Sequence, residues 1–98
     1  MNPGDCTTMA EVRAGVDAVD AELIAAIARR FGYMRAAARI KKLRSDVRDE
    51  ERKAQVIANA LAAAEKLNVP VEPIARLWDA LVEASITYEL EAFDRHNS

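Results

Sequence analysis

Two cations stand where the apolar pattern of this chain asks for hydrocarbon. From Thr8 onward, Val12, Val16, Val19, Leu23 and Ala26 recur in steps of four and three, which is one stripe of a helix. The same steps continue to Arg30, Met34, Ala37 and Lys41. Arg30 and Lys41 therefore lie within about 20° of one face and about 16 Å apart along the axis. Side chains of that length reach inward to a small anion, and Ala37 between them leaves room for it. A buried cation without counter-charge is costly, so the pattern demands an acidic side chain or an anionic ligand. Arg13 precedes Arg30 by roughly 25 Å of helix and joins such a site only if delivered to a second copy of the chain. Its planar fork suits a bidentate grip on a carboxylate.

A later segment repeats the anomaly. Trp78, Leu81, Val82, Ser85 and Glu89 share a helical face, so a hydroxyl and a carboxyl interrupt an apolar run. Asp49 and Lys53, four residues apart, are candidates to face the same cavity. This set offers cations, acids and a hydroxyl, with no nucleophile beside a base and no metal constellation. Its chemistry would be positioning and electrostatics applied to a multiply anionic molecule. Plainer readings of the same residues stay open. Arg30 and Lys41 can snorkel along a stripe edge, and Asp49 can serve only as a helix N-cap. Lys53 with Asp49 can be a surface pair, and Ser85 with Glu89 a hydrogen-bonded core pair. Arg29, Arg35, Arg39 and Lys42 read as a solvated face.

Three helices must position these groups. The first is expected from Thr8 to about Arg44, opening on the capping-box pattern Thr8-Met9-Ala10-Glu11. At roughly 35 residues it would be about 50 Å long. A compact domain of this size has a radius of gyration near 13 Å, so such a helix cannot bury its stripe alone, and a two-fold partner is expected to cover it. The basic stretch Lys42–Arg48 reads as a loop. The second helix is expected from about Asp49 to Leu67, with Val56, Ile57, Ala60, Leu61, Ala64 and Leu67 inward. The third is expected to carry Pro73 in its first turn and to run to about Phe93, with Ile74, Leu77, Trp78, Leu81, Val82 and Ile86 inside. Residues Arg95–Ser98 are expected to fray.

Composition agrees with an all-α chain of one domain, residues 1–98. Of the residues, 51% are hydrophobic but only 5% aromatic, much of the remainder being alanine, with three glycines and three prolines. A Gly-rich phosphate loop and most all-β folds are excluded. One cysteine and one histidine exclude disulfide frameworks and Cys/His metal sites, leaving Cys6 as a thiol. The net charge of −2 argues against gripping a nucleic-acid backbone. No run approaches the ~18 apolar residues of a membrane span. The first eight residues carry neither positive charge nor an apolar run, so no secretory signal and a cytoplasmic location are expected.

Asp5-Cys6-Thr7, Val12-Arg13, Asp17-Ala18-Val19-Asp20, Arg29-Arg30, Tyr33, Ala36-Ala37 and Lys41 resemble the all-helical chorismate mutase family, including its isochorismate–pyruvate lyase branch. The resemblance extends from about Asp5 to Glu91. It implies an intertwined three-helix homodimer with two shared sites, acting on chorismate or isochorismate without a cofactor. It further implies that Arg13 comes from the partner chain, that Arg30 and Arg13 hold substrate carboxylates, and that Lys41 approaches the ether oxygen of the breaking bond. Asp49 corresponds to a residue near the ring hydroxyl, and Ser85 to a small polar residue lining the mutase site. Two positions depart from the common mutase pattern: Lys53 falls where a glutamate usually assists the hydroxyl, and Glu89 where many members have glutamine. The N-terminal Asp5-Cys6-Thr7 leans towards the lyases, while Asp49 and Ser85 lean towards the mutases.

The activity expected on balance is the pericyclic rearrangement of chorismate to prephenate. It needs the dianion held with its enolpyruvyl tail over the ring, and a donor for charge building on the ether oxygen. Lys41 would be that donor. To assist it, residue 89 must also donate a hydrogen bond, which an ionised glutamate cannot do. The alternatives are lysis of isochorismate to salicylate and pyruvate on the same cations, and a non-catalytic helical dimer that needs only the stripes.

Overall fold

The computed structural model describes residues 2–98. They divide between Gly32 and Tyr33 into two compact units, the second being Tyr33–Ser98. Helix α1 spans Met9–Ile40, α2 Glu50–Lys66 and α3 Val71–His96. Short 3-10 turns occupy Pro3–Asp5 and Arg44–Asp46. No strand occurs among the described residues. The chain is all-α, with a long first helix, as the periodicity predicts.

In the first unit, α1 opens on the expected capping box. The Glu11 amide donates to Thr8 Oγ1 at 3.2 Å, and the Thr8 amide donates back to Glu11 Oε1 at 3.1 Å. The Thr7 amide and hydroxyl converge on the same carboxylate oxygen. These donors, the Thr7 amide first, hold the Glu11 carboxyl below its usual range. Val16, Val19 and Leu23 are each about half exposed, and Ile24 more so. Val16, Val19, Leu23 and Ile24 thus stay exposed along α1 in the first unit.

In the second unit a core of Ala38, Val47, Val82, Ile86 and Phe93 draws α1, α2 and α3 together, with Val56, Ile57 and Leu90 packed against it. The first helix stops earlier than the sequence suggests, at Ile40 rather than Arg44. The Asp46 carboxylate accepts from the Leu43 amide at 3.3 Å, Leu43 is extended, and Val47 is drawn into the core. Residues 44–46 therefore turn instead of continuing the helix. Lys41 keeps helical register all the same, its amide donating to Ala37 O at 2.9 Å.

Asp49 caps α2 by accepting from the Arg52 amide at 3.0 Å, with Glu50 and Glu51 in the favourable first turn. Asn68 takes a left-handed φ of 59° at the far end, a conformation that asparagine tolerates. The turn is closed by the Val69 amide on Ala64 O at 2.8 Å. Pro73 falls in the first turn of α3, as expected. Two expected inward residues face out. Leu67 sits beyond the last turn of α2, and Leu77 lies about 140° round α3 from Val82. The end of α3 is helical to His96 rather than frayed from Arg95. Phe93 is buried, Arg44 grips Asp94 with two hydrogen bonds, and the Asn97 amide and side chain both donate to Phe93 O.

Candidate active site

The most buried ion pair of the second unit joins Lys41 to Glu89. Lys41 Nζ donates to Glu89 Oε2 at 2.7 Å, with side chains 30% and 6% exposed. The carboxylate comes from α3, one turn beyond the buried Ser85, whose hydroxyl donates to Leu81 O at 2.7 Å. That bond back to the preceding turn satisfies a hydroxyl which the core would otherwise penalise. The pairing that the sequence left open between Ser85 and Glu89 thus gives way to one between Glu89 and Lys41. Counter-charge for the stripe lysine comes from a protein carboxylate. Among the described residues, no buried side-chain nitrogen or oxygen lacks a hydrogen-bond partner. A ligand carboxylate or ether oxygen can reach Lys41 by sharing its three donors with Glu89.

The other expected site residues fall into three groups. Arg13 and Arg30 lie on α1 within the first unit, Arg13 exposed and Arg30 half-buried. Asp49 is exposed and performs the N-cap role, and its neighbours Glu51, Arg52 and Gln55 line a shallow surface groove with it. Lys53 does not turn to Asp49. Its ammonium lies 3.0 Å from Asp79 Oδ1 and 2.8 Å from Glu83 Oε2 on α3. Asp79 and Glu83 are each six residues before Ser85 and Glu89, hence about 120° round the helix from them. The core stripe of Val82 and Ile86 lies between these two flanks. Lys53 is therefore held on the Asp79–Glu83 flank of α3, about 120° round that helix from the flank of Glu89, rather than paired with Asp49.

The acids that hold Lys53 escaped the sequence reading, although their i,i+4 spacing on α3 was a signal. Glu83 is also gripped by Arg48, whose Nη2 lies 2.7 Å from Oε1 and Nη1 3.1 Å from Oε2, while Nη1 reaches Glu50 Oε1 at 2.8 Å. The guanidinium first, then the Lys53 ammonium, holds the Glu83 carboxyl down at about 2. Lys53 is raised in turn, chiefly by its hydrogen bond to Glu83. Arg35 is exposed, as expected of a solvated face, and donates to the Tyr88 hydroxyl at 2.7 Å.

An all-helical chain with a lysine–carboxylate pair set between its first and third helices defines a class of small helical proteins whose polar groups lie on otherwise apolar faces. Residues 12–90 match the chorismate mutase type II family, and the chain belongs to it. It is also similar to the isochorismate pyruvate lyase of Pseudomonas aeruginosa strain PAO1, with 26% identity over 89 residues, covering 91% of this chain and 88% of that protein. Among the described residues, no helix is long and apolar enough to cross a membrane.

Proposed function

We propose that this chain is a chorismate mutase, converting chorismate to prephenate by holding and polarising it, with residues 1–98 acting as one functional domain. The observation that carries the proposal is the Lys41–Glu89 pair, a charged donor on an apolar face with its carboxylate partner almost fully buried. The reaction moves the enolpyruvyl group from oxygen to carbon, so the C–O bond breaks as a C–C bond forms and negative charge gathers on the ether oxygen. Lys41 donates there, and Glu89 fixes the direction of its ammonium. Arg30, and Arg13 from a second copy, would hold the two carboxylates in the folded conformer. Asp49 would take the ring hydroxyl, and Ser85 would line the ring. Two copies in an intertwined homodimer would cover the exposed stripe of Val16, Val19 and Leu23 and complete each site.

Lysis of isochorismate to salicylate and pyruvate is the second reading, favoured by the similarity to the Pseudomonas lyase. It uses the same dianion grip with hydrogen transfer in place of carbon–carbon bond formation. The test is incubation of the purified chain with each acid separately, followed by product identification. Prephenate from chorismate supports the mutase, salicylate from isochorismate alone supports the lyase, and no product from either refutes both.

A further inference from the structure

Lys53, Arg48, Glu83, Asp79 and Glu50 form a continuous charge network that the proposed chemistry does not use. Its geometry is specific. Arg48 precedes Asp49 and Lys53 follows it by one helical turn, so both neighbours of Asp49 along this face are tied to one α3 carboxylate, Glu83. Lys53 is the least exposed member, its side chain 19% accessible, and it spans two acids one turn apart on α3. A lysine so engaged has its donors turned towards α3 and away from the flank that carries Glu89. Between the two anchors lies the first turn of α2, where Asp49 spends one oxygen on the Arg52 amide and keeps the other available.

We infer that Lys53 is a positioning residue, the α2 half of a clasp that, through Asp79, Glu83 and Arg48, pins the first turn of α2 and so sets the place of the Asp49 carboxylate. The inference rests on the proposed reaction for what Asp49 touches, and on the hydrogen bonds alone for the clasp. Solvated ion pairs contribute little singly, but a network anchored at both ends of one helical turn restricts that turn. Neutralising either Lys53 or Glu83 opens the same clasp. The two changes share the Lys53–Glu83 pair, while each leaves one other pair of the clasp intact, so their combined effect must be less than the sum of the single effects.

The experiment compares Lys53→Met, Glu83→Gln, their double variant and Lys53→Arg with the wild type, in two readouts. In backbone amide exchange, the Arg52 N–H should exchange about three- to fivefold faster in each single variant, the scale of a few solvated pairs lost together. The double variant should exchange faster than either single variant but by less than the product of their two factors, and Lys53→Arg should restore protection. In steady-state kinetics, KM should rise about tenfold, less than the ~100-fold that a 1 Å misplacement of a reacting group can cost, with kcat little changed. Glu83→Gln is the discriminating variant, because it leaves the Lys53 charge in place. A direct substrate contact by Lys53 predicts that KM rises in Lys53→Met and not in Glu83→Gln, and that result overturns the inference. So does unchanged Arg52 exchange in both single variants. A wild-type chain inactive on both acids refutes the functional reading alone, since the exchange data still judge the clasp.

Discussion

Replacing Glu89 by glutamine tests how the lysine of the site is held. The Glu89 side chain is 6% exposed and accepts from Lys41 Nζ at 2.7 Å. Glutamine keeps an oxygen in reach of the ammonium and adds an NH2 donor beside it. Lost is the charge–charge attraction, about 4–6 kcal/mol gross for so close a pair near the surface. Lys41 is partly solvated, which screens that attraction. Removed with it is the penalty of burying a carboxylate, itself several kcal/mol. The two nearly cancel, so stability should change by no more than about 1 kcal/mol, or a Tm shift below about 8 °C in a chain of this size. Glu89→Leu removes the acceptor altogether and leaves the ammonium half-buried, at a cost of about 1–3 kcal/mol. Activity should separate the two variants further. With glutamine, two donors face the ether oxygen, so turnover at pH 7.5 is kept or raised. With leucine, Lys41 loses its orientation and kcat falls by a factor approaching the ~100–1000 of a lost transition-state donor. Thermal unfolding followed by circular dichroism and chorismate turnover provide both numbers. Equal damage from glutamine and leucine would refute the reasoning, because the 2.7 Å contact would then not be what aims Lys41.

Acid should weaken the second unit through Glu83. Its folded pKa of about 2 is below the ordinary 4.5, so the stabilisation is complete above about pH 4.5 and disappears as pH falls towards 2. Glu83→Gln should flatten that part of the acid-unfolding profile and leave the midpoint at neutral pH less affected by further acidification. Thr8→Ala removes the hydroxyl that caps α1 and should cost about 0.5–2 kcal/mol by denaturant titration, with unchanged stability contradicting the capping box. The uncovered stripe predicts a dimer at micromolar concentration by sedimentation, shifted towards monomer by Val19→Glu; an active wild-type monomer would contradict the shared site. Mixing Arg13→Ala with Lys41→Ala subunits should recover activity after verified exchange, since one of the two sites then holds both wild-type residues.

Much of the fold is legible because its signals are local. The Thr8–Glu11 box, the stripe steps of three and four, the Asp49 cap and Pro73 each act within one or two turns, and each element starts where they say. The misses come from tertiary contacts. The break of the apolar pattern at Lys42 marks the end of α1 only to within a turn; the burial of Val47 and the Asp46 carboxylate on Leu43 fix it at Ile40. At the C-terminus, Arg95 and His96 stay helical because Arg44, fifty residues away, holds Asp94. Lys41 was legible as a residue in need of a partner because a cation on an apolar stripe demands counter-charge, and Glu89 for the mirrored reason on α3. That they find each other depends on how α1 packs on α3, which periodicity does not encode. Lys53 shows the same limit. Its spacing from Asp49 suggested a local pair, whereas two acids on α3 outbid Asp49 for its ammonium.

Mutase activity is tested at its source by turnover of chorismate by the wild type and by Lys41→Met, both purified from a host that lacks its own mutase. Progress is followed by loss of the substrate's absorbance, with the product identified by proton NMR. The account predicts prephenate from the wild type and a rate at least about 100-fold lower from Lys41→Met, whose circular dichroism spectrum stays helical. Prephenate formed equally fast without the lysine, or no reaction of chorismate with the wild type, would contradict it.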